Sequence, residues 1–120
     1  MLVAITAQEP TLESRVDQRF GRARYLIVVD TETGETNVCN NEVNLNAAQG
    51  AGIQTAQNIA QLKVEAVVTG HVGPNAFRAL SAVGIKVYKA SDNTVAEAID
   101  GLNEGKLTSL DCADVEGHWE

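Results

Sequence analysis

The sequence predicts an α/β domain built on a five-stranded mixed sheet with helices on its faces. Three observations carry this. Short β-branched and apolar runs of strand length recur along the chain. After Asn40 the apolar spacing changes from that of a strand to that of a helix. From there on, each further strand is reached through a helical segment.

Leu2–Thr6 reads as a buried first strand. Residues 7–21 are polar, contain Pro10 and Gly21, and predict a long connection of the kind that often carries function. Tyr25–Asp30 is a continuous β-branched and aromatic run, which suits a central strand covered on both faces. Thr31–Gly34 is a turn with its glycine last, and Glu35–Asn40 returns as a polar edge strand. Residues 40–52 form a second polar loop, rich in Asn, Ala and Gly. Ile53, Ala56, Ile59, Ala60 and Leu62 then follow at helical spacing. Ala66–Thr69 is a short buried strand. Pro74 suits the first position of the next helix, whose apolar stripe is Phe77, Leu80 and Val83, with Gly84 as its cap. Ile85–Tyr88 is a further strand. Thr94 and Glu97 have the spacing of a capping box, opening a helix with Val95, Ala98, Ile99 and Leu102 on its inner face and Gly105 at its end. The domain is expected over residues 1–107, followed by an acidic, mobile tail over 108–120.

The element order is therefore βββαβαβα. The first three strands suit an antiparallel meander. The last two should lie parallel to the first through right-handed crossovers. The expected strand order is 3-2-1-4-5, a ribonuclease-H-like arrangement with the first strand in the middle.

Composition removes several classes of function. The chain has 120 residues, enough for one ordinary core, and a hydrophobic fraction of 44%, which argues against disorder. No apolar run approaches the roughly 20 residues needed to cross a bilayer. The first strand lacks a basic leader and a cleavage site, so a signal peptide is not expected. Cys39 and Cys112 are too few and too far apart for a disulfide framework or a cysteine-only zinc site. The expected location is the cytoplasm. A net charge of −7 argues against general nucleic-acid binding. That charge is uneven: residues 15–24 hold Arg15, Arg19, Arg22 and Arg24 against Asp17 alone, for +3, leaving −10 on the rest. A basic segment on an acidic chain suggests a small anionic partner rather than a polyanion. The alternative is that these arginines are solvated or paired with local carboxylates.

Ligands of open α/β sheets bind beyond the carboxyl ends of parallel strands, at a switch point. Here that point lies between the first strand and the strand ending at Thr69. Three segments arrive there: residues 7–21, Gly50-Ala51-Gly52, and Gly70-His71-Val72-Gly73-Pro74-Asn75. The last two each open a helix, whose backbone N–H groups and dipole favour an anion. Such glycines also serve simply to make tight turns. His71 could donate to an anion or coordinate a metal, or be an ordinary loop histidine. Cys39 reads as a half-buried small apolar residue. Cys112 and His118 do not form a recognised zinc spacing. Trp119 beside them suits an anchor for the tail or an exposed side chain. Nuclease chemistry would need several carboxylates at this end of the sheet. The first strand has none, Glu65 lies at the wrong end of its strand, and none occurs in Gly70–Arg78. P-loop, G-x-S-x-G and G-x-G-x-x-G patterns are absent.

Three motifs, Val16-Asp17-Gln18-Arg19-Phe20-Gly21-Arg22, Gly50-Ala51-Gly52-Ile53 and Gly70-His71-Val72-Gly73-Pro74-Asn75-Ala76-Phe77, resemble the dinitrogenase iron–molybdenum cofactor biosynthesis family. That family includes NifX- and NifY-type carriers, the C-terminal part of NifB-type proteins and the orange protein, which holds a molybdenum–copper sulfide cluster. The Phe20-Gly21-Arg22 and Gly73-Pro74-Asn75 matches favour the orange-protein branch. The resemblance implies a non-enzymatic carrier that binds an anionic molybdenum-containing metal–sulfur cluster non-covalently. It also implies assembly proteins or ATPases as further partners. Arg19, Arg22, Gly50, Gly52, Gly70, His71, Gly73 and Asn75 would then hold the cluster, with His71 as the metal-binding candidate. None of the three motifs contains a cysteine, so a thiolate anchor is not expected there. Two other readings stand beside this one. One is a small enzyme acting on a phosphorylated or nucleotide ligand in the same pocket. The other is a regulatory module working through the hairpin edge and the acidic tail.

Overall fold

The structure is a computed structural model and describes residues 1–41, 51–91 and 93–111. Its strands are β1 (Leu2–Ala7), β2 (Tyr25–Asp30), β3 (Thr36–Asn40), β4 (Ala66–Thr69), β5 (Lys86–Lys89) and β6 (Thr108–Leu110). Its described helices are α1 (Ala51–Gln61), α2 (Pro74–Ala82) and α3 (Val95–Asn103), with a single 3-10 turn at Phe20–Arg22. The strands form one six-stranded sheet in the order β3-β2-β1-β4-β5-β6. β1, β2 and β3 pair antiparallel, as expected of the meander. β1 pairs with β4 and β4 with β5 in parallel, so β1 is central and the switch point lies between β1 and β4.

The expectation of five strands is corrected by β6, which pairs antiparallel with β5. Its three residues sit at the start of the segment expected to be a tail. Ser109 and Thr108 are exposed and Leu110 is half-buried, too little apolar signal for a strand to stand out from its polar surroundings. Residues 112–120, with Cys112, His118 and Trp119, lie outside the described residues. No helix among the described residues is long and apolar enough to cross a membrane.

The alternation of side chains along the strands divides the core in two. On one face Ala4, Leu26, Val28, Val67 and Val87 pack with Ala56 and Ile59 of α1, Ala76 and Leu80 of α2, and Phe20 of the 3-10 turn. On the other, Val3, Ile5, Ile27, Val29 and Val68 pack with Val16 and with Val95 and Ala98 of α3. Burying one such aliphatic side chain stabilises by about 1.5–3 kcal/mol. The helix ends follow the expected chemistry. Gly84 and Gly105 adopt φ of +77° and +72°, a left-handed conformation that glycine takes without the Cβ penalty. Val83 departs from its expected place on the inner stripe of α2: it is the C-cap residue and 58% exposed, because the helix has already ended at Ala82.

Candidate functional site

The connection from Gln8 to Arg24 builds the site by crossing the carboxyl ends of β1, β4 and the segment after β5. It first folds back on β1: Val16 bridges Ala7, and the Asp17 N–H donates to the Thr6 carbonyl at 2.8 Å. It then passes to the residues that follow β4. The His71 N–H donates to the Gln18 carbonyl at 2.8 Å, and the Phe20 N–H donates to the His71 carbonyl at 3.2 Å. Arg19 and His71 are thereby paired in a parallel bridge. The Gln18 side chain continues the crossing, its Nε2 donating to the Ser91 carbonyl at 2.7 Å. The crevice between β1 and β4 is thus filled by residues 16–19 of the chain itself. Any ligand at this end of the sheet would sit over that segment rather than between the strands.

Each residue singled out from the sequence can now be placed. Arg19 is exposed and His71 half-buried, and the bridge puts their backbones side by side. Gly70 is buried, and a Cβ there would lie 2.6 Å from the Gln18 Cα. Its glycine is required by this close approach of two backbones. Gly73 is the N-cap of α2, with no side-chain cap bond, and Pro74 follows at the first helical position. Asn75 is exposed in the first turn of that helix. Arg22 closes the 3-10 turn, its N–H donating to the Arg19 carbonyl at 3.2 Å, and this turn packs against α1. Gly52 is buried near the start of α1, and Gly50 lies outside the described residues. Arg15 is elsewhere: it bridges Thr94 at the start of α3. The basic segment is therefore divided, with Arg19 turned to the His71 side and Arg15 to α3.

Several residues of the site carry no signal that sequence spacing could have raised. The Asp17 carboxylate accepts the Arg19 N–H at 2.9 Å. Burial raises its pKa above the usual carboxylate value, opposed by that hydrogen bond and by the Arg19 charge. An ionised Asp17 offsets part of the local positive charge, so the rim is less basic than its arginine count suggests. Thr6, one residue before the end of β1, and Thr69, the last residue of β4, lie on the same face, both fully buried, with their hydroxyls 2.8 Å apart. Asn41, also buried, donates to the Ala23 carbonyl at 2.8 Å and to Thr55 Oγ1 of α1 at 3.2 Å, fixing the exit of the basic segment to that helix.

The electrostatics of two helix starts at this end, those of α3 and α2, differ. α3 is closed by a capping box: Glu97 N–H donates to Thr94 Oγ1 at 3.2 Å and Thr94 N–H to Glu97 Oε1 at 2.8 Å. Val95 and Ala96 donate to the carbonyls of Ser14 and Leu12. α2 carries no acidic residue in its first turn and no side-chain cap, so no carboxylate on that turn opposes the positive end of its dipole. Among the described residues, no group of three or more His, Cys, Asp or Glu side chains is arranged to hold a metal ion. Of the open clefts, one of about 450 Å³ runs along α3 and reaches Ser91 and Asn93, where the connection is bound, and another of about 450 Å³ lies between α2 and β6.

The family model described as dinitrogenase iron-molybdenum cofactor matches residues 1–105. The chain belongs to that family. It is 36% identical to the orange protein of Desulfovibrio gigas, whose apo structure superposes with a TM-score of 0.92 over 95% of this chain and 96% of that one. It is 40% identical to a Thermotoga protein described as a candidate NifB protein of the DUF35 family, with a TM-score of 0.84 over 97% of this chain and 98% of that one. It is also 33% identical to an uncharacterised protein of Methanocaldococcus jannaschii, over 85% of this chain and 88% of that one. Family membership and both structural relatives agree with the resemblance carried by the three motifs.

Proposed function

We propose that this chain is a non-enzymatic carrier for an anionic molybdenum-containing metal–sulfur cluster, acting in cofactor assembly or delivery. The observation that carries the reading is the parallel bridge of Arg19 with His71. It brings a permanent cation and an imidazole together where α2 begins without a side-chain cap. An anion leaving water needs neutralising charge and hydrogen-bond donors, because an unpaired buried charge is costly. Arg19 and Arg22 supply charge, and the glycine-led start of α2 supplies backbone dipoles. His71 donates to, or coordinates, the edge of the cluster, and Gly50, Gly52, Gly73 and Asn75 complete the expected contact set, while Gly70 serves by letting the Gln18 backbone close over it. The strand order is read as ribonuclease-H-like, without that fold's carboxylate chemistry as part of the role. The cargo is a molybdenum–copper or iron–molybdenum sulfide, the compartment the cytoplasm, and the partners the proteins or ATPases that supply and receive the cluster.

The test is optical. Chain incubated with thiomolybdate and copper(I), then passed through a desalting column, should retain molybdenum in fixed ratio to protein and absorb visible light. Colourless, molybdenum-free protein after gentle purification and after reconstitution would contradict the proposal. Tight retention of a nucleotide in its place would favour the enzyme reading.

A further inference from the structure

We infer that Thr6 and Thr69 are positioning residues, whose paired hydroxyls latch the Asp17–Arg19 segment over the switch point and so set the rim that receives the anion. This inference rests on the proposed function above for its cargo. Both threonines are fully buried, on the face of the sheet where Ala4 and Val67 precede them. A buried hydroxyl is unfavourable unless it is hydrogen-bonded, and valine would fill the same volume without that cost. The hydrogen bonds explain the choice. Thr6 Oγ1 lies 2.9 Å from the Asp17 carbonyl oxygen and 2.8 Å from Thr69 Oγ1. Each hydroxyl has one proton. Thr6 therefore donates to the Asp17 carbonyl and Thr69 donates to Thr6 Oγ1, which satisfies both groups. Thr69 Oγ1 also lies 3.4 Å from the same carbonyl, placed to replace Thr6 as donor if that hydroxyl is lost.

The latch acts on the site through the chain. Asp17 is held from both its N–H, which bonds the Thr6 carbonyl, and its carbonyl, which accepts the hydroxyl. Its side chain then fixes the Arg19 N–H. One residue after Asp17, Gln18 begins the pairing with His71. The segment that presents Arg19 to His71 is thus secured to the carboxyl ends of both β1 and β4 by two hydroxyls that touch no ligand.

The double variant Thr6→Val, Thr69→Val removes both donors at nearly constant volume, and Thr6→Ser, Thr69→Ser restores them. Two readouts separate positioning from general stability. Amide hydrogen exchange at His71 and Phe20, whose N–H groups make the loop pairing, should quicken in the valine variant while the β1–β4 ladder keeps its protection. Dissociation of bound thiomolybdate–copper should quicken about tenfold, with the salt dependence of uptake unchanged because the arginines remain. The serine variant should return both to native values. If the double valine chain does not fold, Thr6→Val alone is read by the same exchange measurement, and should show a smaller loss confined to His71 and Phe20, because Thr69 takes over as donor from 3.4 Å. Native exchange at His71 and Phe20 in a folded valine variant would overturn the inference. So would loss of protection spread evenly over the sheet. Failure of the native chain to take up thiomolybdate would instead sink the proposed function. The exchange data would then still decide whether the latch holds the loop.

Discussion

α2 and α3 occupy equivalent places in the fold, each following a parallel strand and each starting at the carboxyl end of the sheet, yet their first turns are built differently. The start of α3 is closed by its own chain: a Thr94–Glu97 capping box, and the Ser14 and Leu12 carbonyls accepting from Val95 and Ala96. The start of α2 has Gly73 and Pro74, no side-chain cap and no acid in its first turn. One helix end holds the long connection through its capping box and backbone N–H groups, and the other begins at a glycine and a proline with no side-chain cap. The same connection serves both, its residues 12–16 against α3 and its residues 18–20 against Gly70-His71.

That contrast can be broken at several points, and the largest effect is expected at the α2 side. Gly70→Ala would force the Gln18 and His71 backbones apart, since the new Cβ would lie 2.6 Å from the Gln18 Cα. Overpacking of this kind costs about 3 kcal/mol at its upper range. Urea unfolding should report that loss, and a wild-type midpoint would mean the two segments are not tightly apposed. At the α3 side, Thr94→Ala should cost about 1 kcal/mol, the usual worth of an N-cap, and leave cluster retention unaltered. Loss of cargo in that variant would place the binding site at the wrong helix.

The capping box also gives a pH signature. The Thr94 backbone N–H, then the Thr94 side chain and the Arg15 charge, hold the Glu97 carboxyl below the usual glutamate range. A carboxylate with a lowered folded pKa stabilises above its unfolded pKa, and the contribution disappears as pH falls through the folded value. Thermal unfolding of Glu97→Gln against the native chain should therefore differ near neutrality and converge under acid. A gap that widens on acidification would assign the lowered pKa to the wrong group. The smallest change in stability is expected at His71. His71→Ala should shift the unfolding free energy by no more than about 1 kcal/mol, an ordinary single-substitution effect, while loosening the cluster. A large loss of stability with cargo retained would make His71 a structural residue.

Much of the fold was legible because it rests on periodicity and caps. Leu2, Tyr25 and Ala66 open strands where their apolar runs begin, and Thr94, Gly84 and Gly105 bound helices as their chemistry demands. Two features were not legible. β6 is short and mostly exposed, held by pairing with β5 rather than by any pattern of its own. Val83 fits the stripe of α2 by spacing, but the helix ends before it. For the candidate site, a switch point and a charge cluster single out Gly70, His71, Gly73 and Arg19 from the sequence, and the structure places Arg19 beside His71. Thr6, Thr69, Asp17 and Gln18 are not singled out, because their importance lies in contacts between segments far apart in sequence. Thr6 and Thr69, 63 residues apart, meet only once β1 and β4 pair in parallel. Gly70 also changed meaning, from a glycine admitting an anion to one admitting the Gln18 backbone.

The central claim of the proposal is that Arg19 and Arg22 capture an anionic cluster together with the start of α2, which has no side-chain cap. Arg19→Gln with Arg22→Gln removes two positive charges and leaves the Gly70–His71 backbone pairing in place. The most direct measurement is the rate of thiomolybdate–copper uptake by the native and double-variant chains across a range of ionic strength. Screening acts over about 8 Å at physiological salt, so the steering of an anion by these charges should weaken as salt rises. The account predicts fast, salt-sensitive uptake by the native chain and slow uptake with a flattened salt dependence in the variant. Uptake by the variant at the native rate at every salt concentration would contradict it.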